Sequence, residues 1–243
     1  MIQLFGPGSL KMGTPQAAQT DGDEFVVATR TQEQKQALQL QLLKNLPTLG
    51  YDNVIADWTF INFLQYFGDE PAREVTGYEL NDDYFDVLTL LDPRWVDMYL
   101  FLSTSVSFYQ AQPQTAVELM SRGTAALSPQ ISPTAWIVWR LKGIDQLLLV
   151  GDTSGAIQSL FRAAEWAEAS SNPDFARQFR ASAEVLQQNP DNLSTRLNAW
   201  LSVYYQTTDE LVQQRATQEL LSLGAEKEMG ENGEVRFILP EIP

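Results

Sequence analysis

The sequence predicts an all-α protein built from antiparallel helix hairpins. Three observations carry that expectation. Apolar residues return every three or four positions through most of the chain, the spacing of one helix face. Prolines, large aromatics and small residues return together at a shift of forty positions. Only the closing stretch GEVRFILPEIP alternates like a strand, and the sequence offers it no evident partner.

Taken in order, residues 1–30 read as a flexible arm. FGPGSLKMGTP spaces glycine and proline too closely for regular structure, and AAQTDGDE continues the polar drift. Thr31 with Gln34 three residues on forms a capping signal for TQEQKQALQLQLLKNL, and Leu38, Leu42, Leu46 and Leu49 stripe one face of that helix. Pro47 and Gly50 close it. Asp52 can cap NVIADWTFINFLQYF, which is apolar on most sides and is expected to be a buried helix. EPAREVTGYELNDD reads as a connection, DYFDVLTLLD as a short helix, and 52–91 together as a degenerate hairpin. The helical domain extends over 31–225, about nine helices in all, and 226–243 forms an extended tail.

From Pro93 the chain repeats. A shift of forty aligns Pro93 with Pro133 and Pro173, Tyr99 with Trp139 and Phe179, and Ser103 with Gly143 and Ala183. It also pairs Ala116 with Ala156, Met120 with Leu160 and Trp200, and Gly123 with Ala163. A proline suits a first helical turn, the aromatic packs on the partner helix, and the small residue one turn later lets two backbones approach. QAQPQT, GDTSG and QQNPDN divide the two helices of each unit, with Asp191 or Asn192 placed to cap the last. One such hairpin cannot bury its own apolar faces, so successive units must stack.

Composition narrows the function. Histidine and cysteine are absent, which removes Ser-His-Asp and Cys-His catalysis, disulfides and nearly every zinc site. The net charge of −15 is concentrated in 52–97, where eleven acids face only Arg73 and Arg94. Nucleic acid and anionic lipid need a basic footprint and are disfavoured as partners. No phosphate loop, dinucleotide fingerprint, nucleophile elbow or calcium loop is present. Neither a bilayer-length apolar run nor a signal-peptide pattern occurs, so a cytoplasmic location is expected.

The repeating pattern resembles the tetratricopeptide repeat, whose consensus sets W-x2-L-G in the first helix and A-x3-F-x2-A in the second. Here Tyr99-x2-Leu102-Ser103 is followed by Ala116-x3-Met120-x2-Gly123, and Trp139-x3-Gly143 by Ala156-x3-Leu160-x2-Ala163. The third unit keeps Phe179 and Ala183 but has Arg196 in place of the alanine. Lys142 replaces the consensus leucine, and the period is 40 against about 34 in the family. The resemblance covers roughly 93–206 and implies a right-handed superhelix whose first helices line a concave groove. Family geometry then puts Asp97, Leu100 and Thr104 of unit one in the groove, with Ile137, Arg140 and Ile144 of unit two. Arg177, Arg180 and Glu184 follow from unit three. Arg140 and Arg180 occupy equivalent positions, and arginines clustered on an acidic protein can grip a carboxylate-bearing peptide; pairing with local acids such as Asp145, Glu184 or Asp174 is the competing use. ADWTFINFLQYFGD and DPRWVDMYLFLS are similar to segments of uncharacterised cyanobacterial repeat proteins, some of which carry a membrane anchor.

These readings imply a non-enzymatic scaffold or assembly factor, needing neither cofactor nor metal, that binds a protein or peptide partner. The cyanobacterial resemblance implies service to a membrane-associated, photosynthetic complex, and tethering through a segment preceding Met1 as the alternative location. A second expectation is a small-molecule or pigment carrier built on the aromatic-rich 52–67 region. A third is an enzyme using Asp57, set among residues expected to be buried, with Glu79, Asp82, Asp83 and Asp86. For that cluster the helix N-terminus, which favours acids, is sufficient explanation.

Overall fold

The computed structural model describes residues 15–188, 193–207, 210–229 and 235–240. Residues 1–14 of the expected arm and the capping candidates Asp191 and Asn192 lie outside them. Eleven α-helices and one small antiparallel sheet are formed by the described residues. None of these helices is long and apolar enough to cross a membrane.

Helix α1 runs Pro15–Asn45, so the expected arm is helical from Pro15 onward. Pro15 is tolerated at a helix start, and the alanines and glutamines after it are good helix formers. Thr31 is therefore interior rather than a cap, and its hydroxyl donates back to the Val27 carbonyl at 2.7 Å. Leu49 and Gly50, both at positive φ, turn the chain into α2 (Asp52–Gly68). The expected connection contains a further helix, α3 (Glu70–Thr76), started by Pro71 and capped where the Ala72 amide donates to the Asp69 carboxylate. Helix α4 spans Asn81–Leu91.

The forty-residue repeat reappears as matched backbone geometry. Helix α5 (Met98–Leu102) widens into a π-helical segment, Ser103–Tyr109, and α7 (Trp136–Asp145) does so at Gln146–Val150. Each ends in a left-handed residue, Ala111 or Gly151. The amides of Gln112 and Asp152 then donate to the carbonyls of Val106 and Gln146, forty residues apart, at 2.9 and 2.8 Å. Second helices α6 (Pro113–Ala126) and α8 (Thr153–Ala169) follow. Pro93 and Pro133 stand in the turns leading to α5 and α7, whereas Pro173 opens α9 (Pro173–Gln188). The small residues sit where close approach demands them. A Cβ on Gly143 would meet the Ser159 Cβ at 3.2 Å, and one on Gly123 would lie 2.4 Å from the Tyr99 ring.

The third unit departs from the expected hairpin. Helix α10 (Leu193–Gln206) packs against the 146–150 segment and α11 (Glu210–Ser222), while α9 lies on α8. Leu197 and Trp200 belong to a core with Leu149, Ala111, Val212 and Leu220. Arg196, which breaks the alanine pattern, lays its guanidinium over Gly151 at a spacing that leaves no room for a side chain there. The tail is also corrected. Strand β2 (Val235–Ile238) finds an antiparallel partner in β1 (Glu226–Met229), pairing Glu226 with Ile238 and Met229 with Val235. Phe237 secures the hairpin against Tyr204, ring centres 4.9 Å apart.

The largest core joins α2, α4, α5, α6 and α7 around Phe63, Phe85, Tyr99, Leu102 and Met120. A third core is alanine-rich: Ala163, Ala164 and Ala167 of α8 bring α9 close through Ala176 and Phe179. Helix α1 is fastened to this body by ion pairs. Lys44 reaches Asp83 at 2.7 Å and Asp86 at 2.6 Å, and Arg122 of α6 also holds Asp86, at 2.7 Å. Burial works against both charges, but these partners outweigh it, raising the Lys44 pKa and lowering that of Asp86.

Candidate functional site

The first helices of the three units are neighbours in chain order. Helix α5 and its π-helical extension lie against α7. Helix α7 meets α9 through Trp136, whose ring centre is 4.8 Å from Phe175 and 5.5 Å from Phe179. Asp97, Leu100 and Thr104 are exposed on unit one, with Phe101 beside them, and Arg140, Ile137 and Ile144 are half-buried on unit two. Unit three presents Arg177 and Glu184, both exposed, and the half-buried Arg180.

The arginines divide by partner. Arg177 is paired with Asp174, and Arg180 donates to Glu168 of α8 at 2.7 Å. Among the described residues Arg140 has no ion-pair partner. Lys142, at the consensus leucine position, donates to Ser121 at 2.9 Å and has its pKa lowered by burial. Of the three arginines, then, Arg140 is the one with its guanidinium uncommitted to an acid, beside the apolar Ile137 and Ile144.

Asp145 is the residue that sequence reasoning undervalued. Considered only as a partner for an arginine, it is instead buried behind α7, away from any cation. Its carboxylate accepts from Ser103 at 3.0 Å and from Ser107 at 2.5 Å. Burial pushes its pKa up to about 7, and the two serine hydrogen bonds pull only part of the way back. The same seam continues to Asn81, buried in α4, which donates to the Ser105 carbonyl at 2.8 Å. The available signal was an acid flanked by GI and QLLLV, a setting in which a carboxylate has no water to face.

The remaining candidates are dispersed. Asp57, expected among buried residues, is exposed on the outer side of α2. It borders an open cleft of about 830 Å³ with Asp92, Arg94 and Trp95, at the C-terminal end of α4. The 79–86 acids lie toward the other end of α4. Asp83 and Asp86 hold cations, and Gln110 donates to Asp82 at 2.7 Å and to the Glu79 carbonyl at 2.9 Å. Among the described residues no acid group is arranged to hold a metal ion. The aromatic region is filled by its own rings. Phe63 is fully buried, its centre 4.7 Å from Phe85, 5.5 Å from Phe67 and 5.9 Å from Phe60 and Tyr84. Trp58 points away from them and is exposed.

Compared with family models, curated proteins and solved structures, the chain matches none of them.

Proposed function

We propose that this chain is a non-enzymatic interaction scaffold, a tetratricopeptide-like superhelix that holds a carboxylate-bearing peptide segment along α5, α7 and α9. The observation that carries the reading is Arg140. It is an arginine without an acid partner, half-buried between exposed Leu100 and Thr104 on one neighbouring helix and the arginine-bearing α9 on the other side. A guanidinium in that setting can take a carboxylate through two parallel hydrogen bonds, while Ile137 and Ile144 supply apolar contact. The cyanobacterial resemblance makes assembly of a membrane-associated, photosynthetic complex the most concrete setting, with the chain either cytoplasmic or tethered.

The test is selection of a displayed peptide library against the protein, followed by affinity measurement on enriched peptides. Arg140→Ala is expected to weaken binding at least about tenfold, the value of one charge-assisted hydrogen bond. Arg177→Ala and Arg180→Ala should each cost less, because both side chains already hold acids. Enriched peptides that bind Arg140→Ala as well as wild type would remove the groove from consideration.

A further inference from the structure

We propose that the outward face of the α1–α2 hairpin is a second docking surface, shaped for an amphipathic helix of another protein that carries basic residues beside its apolar stripe. This surface is separate from the Arg140 groove and does not depend on it.

Helix α2 is apolar on both sides. Ala56, Thr59, Phe63 and Tyr66 are turned into the core. Half a turn away, Val54, Trp58 and Ile61 are 62%, 52% and 54% exposed. Helix α1 does the same. Leu40 is buried, while Leu38 and Leu42 on the opposite side are exposed, as is Leu46 at the helix end. The two helices run antiparallel, since Tyr66 near the end of α2 donates to Glu33 of α1 at 3.2 Å and a short turn joins their other ends. Both also rest on α4. Their apolar outer rows therefore share one side of the molecule. A helix facing only water carries polar residues on its outer side. Large apolar patches on a soluble surface mark contact sites, and two parallel helix ridges make a groove that accepts a third helix.

Charge selects the occupant. Asp57 is exposed within the Val54, Trp58 and Ile61 row, and no cation pairs with it among the described residues. Asp69 and Glu70 stand exposed at the far end of α2. The nearby Lys44 is already held by Asp83 and Asp86. A second copy of the chain would bring a second Asp57 and a second net charge of −15 to the contact. An anionic membrane would be repelled likewise. A helix with lysine or arginine beside its leucines meets both requirements of the surface.

The probe is a labelled synthetic peptide of leucine and lysine at helical spacing, with a leucine and glutamate peptide of the same pattern as its counterpart. The basic peptide is expected to bind, and the acidic one should bind at least about tenfold more weakly. Trp58→Ser/Ile61→Ser should weaken the basic peptide at least about tenfold, because apolar anchors dominate such contacts. Asp57→Asn, which leaves the apolar row intact, should weaken it by a smaller factor and reduce its salt dependence. The substituted residues face outward, and circular dichroism melts confirm folding. Equal binding by wild type and Trp58→Ser/Ile61→Ser, or equal binding of the two peptides, overturns the proposal. A wild-type dimer that this double variant converts to monomer in sedimentation assigns the face to a second copy and also overturns it. Sedimentation with phosphatidylcholine vesicles, lost in the double variant, assigns it to a lipid surface with the same consequence.

Discussion

Lowering the pH from 8 to 5 is expected to stabilise the protein, and Asp145→Asn is expected to abolish most of that gain. In the folded chain the Asp145 carboxyl has a pKa of about 7, against an ordinary value near 4 in the unfolded chain. Between these values the folded state binds the extra proton, so stability falls as pH rises through the interval and levels off above it. A difference of that size between the folded and unfolded pKa corresponds to about 4 kcal/mol, or of order 10 °C in Tm for a chain of this size. Ser103 and Ser107 are the groups that face the carboxylate, and burial dominates over both. No charged side chain contributes to the rise. The global charge of −15 also relaxes on acidification, and the asparagine variant separates the two contributions. At pH 8 Asp145→Asn should melt above wild type, since it removes an ion buried without a partner. Thermal melts from pH 4.5 to 8.5 provide the check. A wild-type curve that rises with pH over that range, or a variant curve of unchanged slope, would contradict the assignment. Below that range the trend reverses, because Asp86, whose pKa is lowered by Lys44 and Arg122, loses its ion pairs on protonation.

The second large effect concerns two glycines that sequence inspection treats alike. Gly123→Ala should destabilise by about 2 kcal/mol. The added methyl would lie 2.4 Å from Cζ and Oη of Tyr99. That ring is fully buried, and its hydroxyl donates to the Pro93 carbonyl at 2.9 Å, so it has nowhere to retreat. Gly22→Ala in α1, where nothing lies within 4 Å of the new methyl, should instead stabilise by up to about 1 kcal/mol through helix propensity. Urea denaturation of both variants checks the pair. If Gly123→Ala proves neutral or stabilising, Tyr99 does not clamp α5 to α6.

Much of this fold is legible in the sequence, and the limits have physical causes. The forty-residue shift locates Tyr99, Gly123, Gly143 and Ala156 correctly because close helix approach constrains residue size, and size is visible in a sequence. The matched left-handed residues at Ala111 and Gly151 are not legible, since alanine gives no sign of positive φ. The third unit misleads because Phe179 and Ala183 do pack as first-helix residues, on α8, while Leu197 and Trp200 carry the next helix to a different core. β1 is hidden by its composition: EKEM is exposed at every position and shows no apolar alternation. For the candidate site, residue types are visible but their commitments are not. Arg177 and Arg180 turn to acids one helical turn or one helix away, and only three-dimensional neighbours distinguish them from Arg140. The leucine stripe of α1 shows the same limit. Periodicity reports which residues share a side, not which side meets the core.

Helix α1 extends about 46 Å at 1.5 Å per residue over its 31 residues, yet no side chain between 22 and 32 is buried. Among the described residues its first ion pair with the body is at Glu33, which accepts from Arg73 at 3.1 Å. The leading half must hold its backbone hydrogen bonds by local helix stability alone, and helices of that length are marginal without packing. Its amide protons should therefore exchange with deuterium within seconds, while those of α4 and α8 wait for the whole molecule to open. The chain thus contains its own clock for occupancy. Anything that settles along residues 22–32 will register as slowed exchange there, whatever its identity.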